Sequence, residues 1–196
     1  MRLFVALDID DSILDRLDSY VRFLKPRVEG VRFVRLESYH VTLQFLGEAY
    51  SPDPIIAALQ KIHHPEMLLT VAGTGFFPNA RAPRVFWAGL EATGLPSLAK
   101  AVNRALAPLG FACEAEFHPH LTLARNGSGR PRPVRGEVSP AAFQRLVEIT
   151  SSAAQPEFGT MTAHRFYLYE SRLSPSGASY AKLAAFPLGQ PALELL

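Results

Sequence analysis

The sequence has very little cysteine and no long apolar segment. Cys113 is the one cysteine among 196 residues, which excludes an internal disulfide and any cysteine-rich metal site. The first apolar run, residues 3–7, ends at Asp8 and is too short for the apolar part of a secretory signal. No stretch approaches the roughly 20 apolar residues that cross a bilayer. We therefore expect a cytoplasmic protein without membrane contact.

Lysine is also scarce, and neither sign of charge dominates. The chain has 16 arginines and 4 lysines, and its formal net charge is +2. Arginine can hold phosphate or carboxylate through two hydrogen bonds, but nucleotide composition can produce the same bias. The small net charge excludes a broad polybasic surface. With 48% hydrophobic and 19% charged residues, the composition is that of a globular protein, and the length suits one domain or two small lobes sharing a core.

Hydrophobic periodicity predicts single helices that alternate with strands, and the strands often occur as consecutive pairs. The predicted strands are residues 2–9, 31–36, 40–46, 68–77, 84–90, 120–124, 163–172 and 179–188. The predicted helices are residues 13–24, 52–62, 96–109 and 141–151. This order favours an α+β fold with antiparallel sheets over a doubly wound sheet. The chain contains neither a Walker sequence nor a dinucleotide-binding glycine motif.

One pattern occurs twice at long range, as HVTL at residues 40–43 and HLTL at residues 120–123. Both copies lie on predicted strands, where successive side chains point to opposite faces. His40 and Thr42 therefore share one face, as do His120 and Thr122, while the apolar residues of each motif point into the core. If the two strands meet across a cleft, two imidazoles and two hydroxyls surround one central space.

This set of side chains suits phosphoryl chemistry. Histidine titrates near neutrality, so one imidazole can act as a base while the other, protonated, acts as an acid. Histidines on opposite sides of a phosphorus atom suit an in-line displacement, and threonine hydroxyls can donate to the non-bridging oxygens. Neither motif has a carboxylate or second histidine at metal-ligand spacing, so we expect a site without metal.

Five segments carry a resemblance to a known family. They are RLFVALD at 2–8, HVTLQFLGE at 40–48, PRVFWAGL at 83–90, FHPHLTLAR at 117–125 and SRLSPSGASYAKLAAFPL at 171–188. In these segments the chain resembles the two-histidine phosphoesterase superfamily. Within that superfamily it is similar to the RNA 2′,3′-cyclic phosphodiesterases, also called 2′-5′ RNA ligase-like proteins. The segments occur in the family's order and span nearly the whole chain.

The resemblance implies one bilobal α+β domain over residues 1–196. Its two antiparallel-sheet lobes would be related by a pseudo-twofold axis, carry helices on the outside and enclose a central cleft. It implies hydrolysis of RNA 2′,3′-cyclic phosphate ends to 2′-phosphates without metal or cofactor, and we expect a monomer because such a bilobal fold is self-contained. His120 would be the base that activates water, and His40 the acid that protonates the departing 3′ oxygen. Thr42 and Thr122 would hold the phosphate, and the reaction can run backwards to join RNA ends through a 2′-5′ bond.

Several residues near the motifs have open interpretations. Strict alternation puts Arg125 on the face opposite His120, unless a bulge or strand end turns it toward the phosphate. Phe45 is a candidate for stacking on a base, as are Phe76, Phe77, Trp87 and Tyr180, although we expect most of these aromatic residues to lie in the core. His118 is expected at a structural or rim position. Arg130, Arg132 and Arg135 lie on a predicted loop that contacts either RNA or solvent.

Two alternative functions remain open from the sequence. The cleft can act on a different cyclic phosphodiester substrate, such as a small cyclic nucleotide, ADP-ribose cyclic phosphate or a 2′-5′ oligonucleotide. The chain can also be a non-catalytic RNA-binding module on the same fold, although two intact motifs argue against this.

Overall fold

The structure, a computed structural model, describes residues 1–28, 30–112, 117–126, 140–174 and 177–189. Within these ranges the chain forms two antiparallel sheets and four α-helices. The strands are β1 (Arg2–Leu7), β2 (Arg32–Phe33), β3 (Val41–Glu48), β4 (Met67–Phe77), β5 (Val85–Glu91), β6 (His120–Arg125), β7 (Glu157–Ala163), β8 (Arg165–Ser174) and β9 (Gly177–Pro187). The helices are α1 (Asp11–Leu24), α2 (Asp53–Leu59), α3 (Leu95–Leu106) and α4 (Pro140–Ser151).

The two sheets draw their strands from different parts of the chain. One sheet has the order β3-β1-β8-β9, so its members come from both ends of the sequence. The other has the order β2-β6-β5-β4-β7 and comes mainly from the middle. Strands β3 and β6 touch each other, so the sheets meet at the two strands that carry the histidine motifs.

The core explains why the motif strands are well positioned. Val41 and Leu43 on β3, and Leu121 and Leu123 on β6, are almost completely buried. Burying side chains of this kind stabilises the fold by about 1.5–3 kcal/mol each. Because alternate residues of a strand point to opposite faces, this burial directs the intervening threonines away from the core.

The helices cover the other side of the core with one apolar face each. In α1 the buried residues recur at helical spacing, as Ile13, Leu17, Val21 and Leu24. This helix packs against β7, while α2 and α3 pack against each other. No helix within the described ranges is long and apolar enough to cross a membrane.

The α+β class with antiparallel sheets is confirmed, but two predicted elements differ. Residues 31–36 do not form one strand, because only Arg32–Phe33 pair with β6 and Leu36–Ser38 form a 3-10 turn. The first strand of the predicted hairpin starts at Arg165 and not at residue 163. Residue 163 instead ends a separate strand, β7, which precedes the hairpin in the sequence and was not predicted. Strand β7 contains Gly159, which has a φ of +127° and interrupts the apolar alternation of the segment. Pairing with β4 holds this strand in the sheet.

Candidate active site

The two histidine motifs contribute to one cavity of about 350 Å³. His40 lies immediately before β3, and His120 is the first residue of β6. Both histidines and both motif threonines, Thr42 and Thr122, line the cavity. The structure therefore brings together the four residues that the sequence pairs only by pattern.

The two imidazoles are held in the same way. The Nδ1 atom of His40 lies 2.8 Å from the carbonyl oxygen of Ser38. The Nδ1 atom of His120 lies 2.7 Å from the carbonyl oxygen of His118. A carbonyl oxygen can only accept, so Nδ1 is the protonated nitrogen in each ring. Nε2 is then the atom of each ring that exchanges a proton in acid-base chemistry.

Aromatic rings pack closely against His40. The ring centroids of Phe4 and Tyr180 lie 4.7 and 5.0 Å from that of His40, the latter edge-on at 87°. This burial lowers the pKa of His40 from 6.5 to about 4. The hydrogen bond to Ser38 acts in the opposite direction, and the positive charge of Arg125 lowers the pKa further.

A bulge in each motif strand brings one further side chain into the cleft. Strand β6 pairs Thr122 with Trp87 and Ala124 with Phe86, so Leu123 is an extra residue. Strand β3 has the corresponding irregularity, because it pairs Thr42 with Ala6 and Gln44 with Val5 and leaves Leu43 extra. Each bulge shifts the alternation by one residue. The residue five positions after each histidine therefore returns to the histidine's face.

The residues placed by these bulges are Phe45 and Arg125. Both line the cavity, and Phe45 is 58% exposed. Nη2 of Arg125 donates a hydrogen bond of 3.3 Å to Oγ1 of Thr122. Strict alternation, which puts Arg125 on the opposite face, is therefore wrong here, and the bulge is the physical reason.

Comparison with known proteins identifies the family. A family model described as LigT-like phosphoesterase matches residues 7–87 and 91–180 of the chain. The chain belongs to this family. A curated relative from Archaeoglobus fulgidus, named RNA 2′,3′-cyclic phosphodiesterase, is 34% identical over 189 residues, covering 95% of this chain and 99% of the relative.

Solved structures support the same assignment. The protein TT0787 of Thermus thermophilus has a TM-score of 0.75 at 28% identity, covering 95% of this chain and 97% of that one. Escherichia coli LigT in complex with 3′-AMP has a TM-score of 0.74 at 25% identity, with 96% and 98% covered. The resemblance and the fold class predicted from the sequence are confirmed.

The cleft of this LigT-like phosphoesterase also contains residues that strand patterns did not identify. Arg2 and Phe4, on β1, line the cavity, as does Tyr180 on β9. From the sequence, Tyr180 is only one of several aromatic candidates for stacking on a base. No local pattern indicates that the last strand joins the same sheet as the first strand. Burial raises the pKa of Tyr180, while the nearby Arg125 and Arg2 lower it.

The other candidate aromatic residues divide between the core and a second cavity. Phe76 packs on Phe86, with ring centroids 5.1 Å apart, and belongs to the core. Phe77 and Trp87 line a separate cavity beside His118. The expectation that most of the five aromatic candidates lie in the core is therefore wrong, because β4 and β5 direct one face of each strand outward.

The remaining histidines lie away from the central cleft. His64 is hydrogen-bonded to Ser97 at 2.7 Å, and Nδ1 of His164 lies 2.7 Å from the Glu66 carboxylate. Cys113 and the loop arginines Arg130, Arg132 and Arg135 lie outside the described residues. Within the described ranges, no group of three or more histidine, cysteine, aspartate or glutamate side chains could hold a metal ion.

The low pKa of His40 predicts a pH-dependent stability. In the unfolded chain this group titrates near 6.5, whereas in the folded protein it titrates near 4. The unfolded chain therefore binds the proton first as the pH falls. We expect the His40 contribution to the free energy of unfolding to be constant above pH 6.5 and to decrease by about 3 kcal/mol between pH 6.5 and 4.

Denaturant unfolding across this pH range tests the expectation in wild type and His40→Asn. The difference between the two curves isolates His40 from the carboxylates that both proteins share. His63→Ala, which removes an exposed histidine outside the cleft, should retain the wild-type slope. Parallel curves for wild type and His40→Asn would contradict a depressed pKa.

Proposed function

We propose that this LigT-like phosphoesterase hydrolyses RNA 2′,3′-cyclic phosphate ends to 2′-phosphates without a metal ion. The observation that carries the proposal is the pair of equivalently oriented imidazoles in one cleft, each donating Nδ1–H to a backbone carbonyl. The name of the Archaeoglobus relative gives the substrate class.

The reaction needs one proton removed and one delivered. Nε2 of His120 takes a proton from water as the water oxygen attacks phosphorus. The bond between phosphorus and the 3′ oxygen breaks on the opposite side, and Nε2–H of His40 protonates that oxygen. The product carries a 2′-phosphate and a 3′-hydroxyl, and the two histidines end in exchanged protonation states, which solvent restores.

The polar groups between the histidines stabilise the charge that gathers on the phosphorus oxygens. Thr42 and Thr122 offer one hydroxyl donor each. Thr122 accepts from the Arg125 guanidinium, so its own hydroxyl hydrogen remains available for a phosphate oxygen. Arg125 adds a permanent positive charge within a partly desolvated cleft, where such interactions are stronger than in water.

The depressed pKa of His40 is compatible with a role as the acid. Burial lowers the pKa of His40 to about 4. A bound phosphodiester places a negative charge beside the ring, and a nearby opposite charge favours the protonated form. Substrate and proton therefore bind together. Because the acid acts only while it is protonated, the loss of activity with rising pH that His40 controls should occur at a higher pH for kcat than for kcat/KM.

Product analysis in the presence of EDTA tests the reaction. We expect an RNA ending in a 2′,3′-cyclic phosphate to be converted completely to the 2′-phosphate at a rate that the chelator does not change. The isomers are separated by chromatography against authentic 2′- and 3′-phosphate standards. A 3′-phosphate product would contradict the proposed direction of displacement, and loss of activity with EDTA would contradict metal independence.

A comparison of substrates separates the proposed function from the alternatives. The cleft of about 350 Å³ is within the size range of small-ligand sites, so we expect a mononucleoside 2′,3′-cyclic phosphate to be hydrolysed as well as an RNA end. Similar kcat for both substrates supports recognition of the terminal nucleotide alone. Salt-dependent RNA binding without any hydrolysis would favour a binding module instead.

A further inference from the structure

The rings that pack against the two catalytic histidines differ in what else they line. Phe4, Tyr180 and Tyr169 pack against His40, with centroids 4.7, 5.0 and 6.3 Å from the imidazole. Phe77 packs edge-on against His120 at 5.0 Å. Phe77 also forms part of the wall of a second cavity of about 430 Å³. The second cavity therefore adjoins the cleft next to His120, with Phe77 between them.

This second cavity has an aromatic wall and a floor without bulky side chains. Trp87 and Phe77 lie next to each other, with ring centroids 5.2 Å apart, and both line it. Gly89, opposite His120 on the neighbouring strand, also lines it. The Trp87 ring lies directly over Gly75, where a Cβ atom would approach it to 2.3 Å. The Trp87 ring therefore occupies the space above Gly75, and the cavity lies beside the two rings, where Gly89 carries no side chain.

The proposed displacement assigns different groups to the two sides of the phosphorus. In an in-line reaction, the attacking oxygen enters on the side of His120 and the 3′ oxygen departs on the side of His40. The RNA that carries the cyclic phosphate is attached to the departing oxygen. Any larger group attached to the attacking oxygen in place of water must therefore extend past His120.

We propose that the cavity formed by Phe77, Trp87, His118, Ala72 and Gly89 binds the nucleoside whose 5′ oxygen enters or leaves on the His120 side. The base would stack on the aromatic wall. This inference rests on the proposed function and deepens it, since it assigns a separate subsite to the 5′-hydroxyl partner of 2′-5′ bond formation and cleavage. A volume of about 430 Å³ is within the range of about 300–1,000 Å³ for small-ligand sites.

The chemistry balances in both directions. In joining, His120 takes the proton of the nucleoside 5′-hydroxyl, the 5′ oxygen bonds to phosphorus, and the 3′ oxygen departs with the proton of His40. In cleavage, His40 takes the proton of the 3′-hydroxyl, which attacks phosphorus. The 5′ oxygen then departs with the proton of His120, leaving a 2′,3′-cyclic phosphate that water subsequently opens.

The first test compares two substrates that differ only in their need for the subsite. Hydrolysis of adenosine 2′,3′-cyclic phosphate needs only water on the His120 side, so the subsite stays unused. Cleavage of a 2′-5′-linked diadenosine monophosphate needs the subsite, because its 5′-linked adenosine must bind there. We expect Ala72→Leu, which puts bulk into the cavity opposite Gly89, to lower the dinucleotide rate relative to the cyclic phosphate rate by about tenfold. A factor of this size corresponds to one base–aromatic stack.

Thr70→Leu is the matched control. Thr70 lies two residues earlier on the same face of β4 and pairs with Thr160 across the sheet. The Thr70→Leu substitution adds similar bulk outside the cavity wall, so the ratio of the dinucleotide rate to the cyclic phosphate rate should stay at the wild-type value. An unchanged ratio in Ala72→Leu, with cyclic phosphate hydrolysis retained, overturns the subsite, as does a wild-type protein that does not cleave the dinucleotide.

A second measurement needs no variant. Trp87 is the single tryptophan of the chain, so its fluorescence reports on this cavity. With the central cleft saturated by adenosine 2′-phosphate, we expect added adenosine to quench the fluorescence saturably. A linear, non-saturating response overturns the subsite. Failure of wild-type cyclic phosphate hydrolysis overturns the proposed function instead, so the two failures are distinguishable.

Discussion

Replacing His120 or His40 with alanine should lower kcat/KM for 2′,3′-cyclic phosphate hydrolysis by about 10²–10⁴-fold each, the usual contribution of a positioned acid or base. Both rings lie at the cleft surface and donate Nδ1–H to a backbone carbonyl. Truncation therefore removes the proton-transfer group without breaking the strand pairing beside it. The measurement is steady-state kinetics on a cyclic mononucleotide, with circular dichroism to verify the fold.

A substrate with a better leaving group separates the acid from the base. The 4-nitrophenolate of bis(4-nitrophenyl) phosphate departs without being protonated. We therefore expect His40→Ala to lose little activity on this ester, while His120→Ala loses as much as on the cyclic phosphate. His63→Ala, at an exposed position outside the cleft, is the control and should match wild type on both substrates. The reverse pattern would exchange the roles of the two histidines.

Removing the guanidinium of Arg125 should have the next largest effect. We expect Arg125→Ala to lower kcat by about 10²-fold, the lower end of what one preorganised charge-stabilising donor contributes. The side chain lines the cleft and donates to Thr122 at 3.3 Å. It therefore both contributes charge near the phosphate and orients a hydroxyl donor. Because the charge on phosphorus oxygens increases toward the transition state, kcat should fall more than KM rises.

Two further variants show whether charge or geometry is responsible. Arg125→Lys keeps the charge but loses the planar fork, so it should recover only part of the lost rate. Arg84→Ala, an exposed arginine that does not line the cleft, should behave as wild type. If Arg125→Ala retains full activity, the guanidinium does not contact the phosphate during the reaction.

Much of the site was predictable because strand geometry follows a simple rule. A side-chain period of two places His40 with Thr42 and His120 with Thr122, and the cavity confirms that the four residues meet. The α+β class was also predictable, since apolar periodicities of two and of 3.6 alternate along the chain. The two motif strands share a further feature in their matching bulges at Leu43 and Leu123.

The bulges themselves were not predictable from the sequence. They depend on hydrogen bonding to β1 and β5, strands that are distant in sequence, and they bring Phe45 and Arg125 onto the histidine face. Strand β7 was missed for a related reason. Its pairing with β4 supplies backbone hydrogen bonds that a short segment containing glycine does not indicate by itself.

The sequence alone determined which residues are the candidates for the chemistry, because two strand-borne histidine–threonine pairs specify both residue types and their common face. Tertiary structure alone decided what surrounds them. Rings from β1, β8 and β9 pack against His40, and burial lowers its pKa. The ring that contacts His120, Phe77, instead lines a second cavity together with glycines of β4 and β5. Burial and open space both depend on strands that are distant in sequence, so the two similar motifs occupy unlike surroundings.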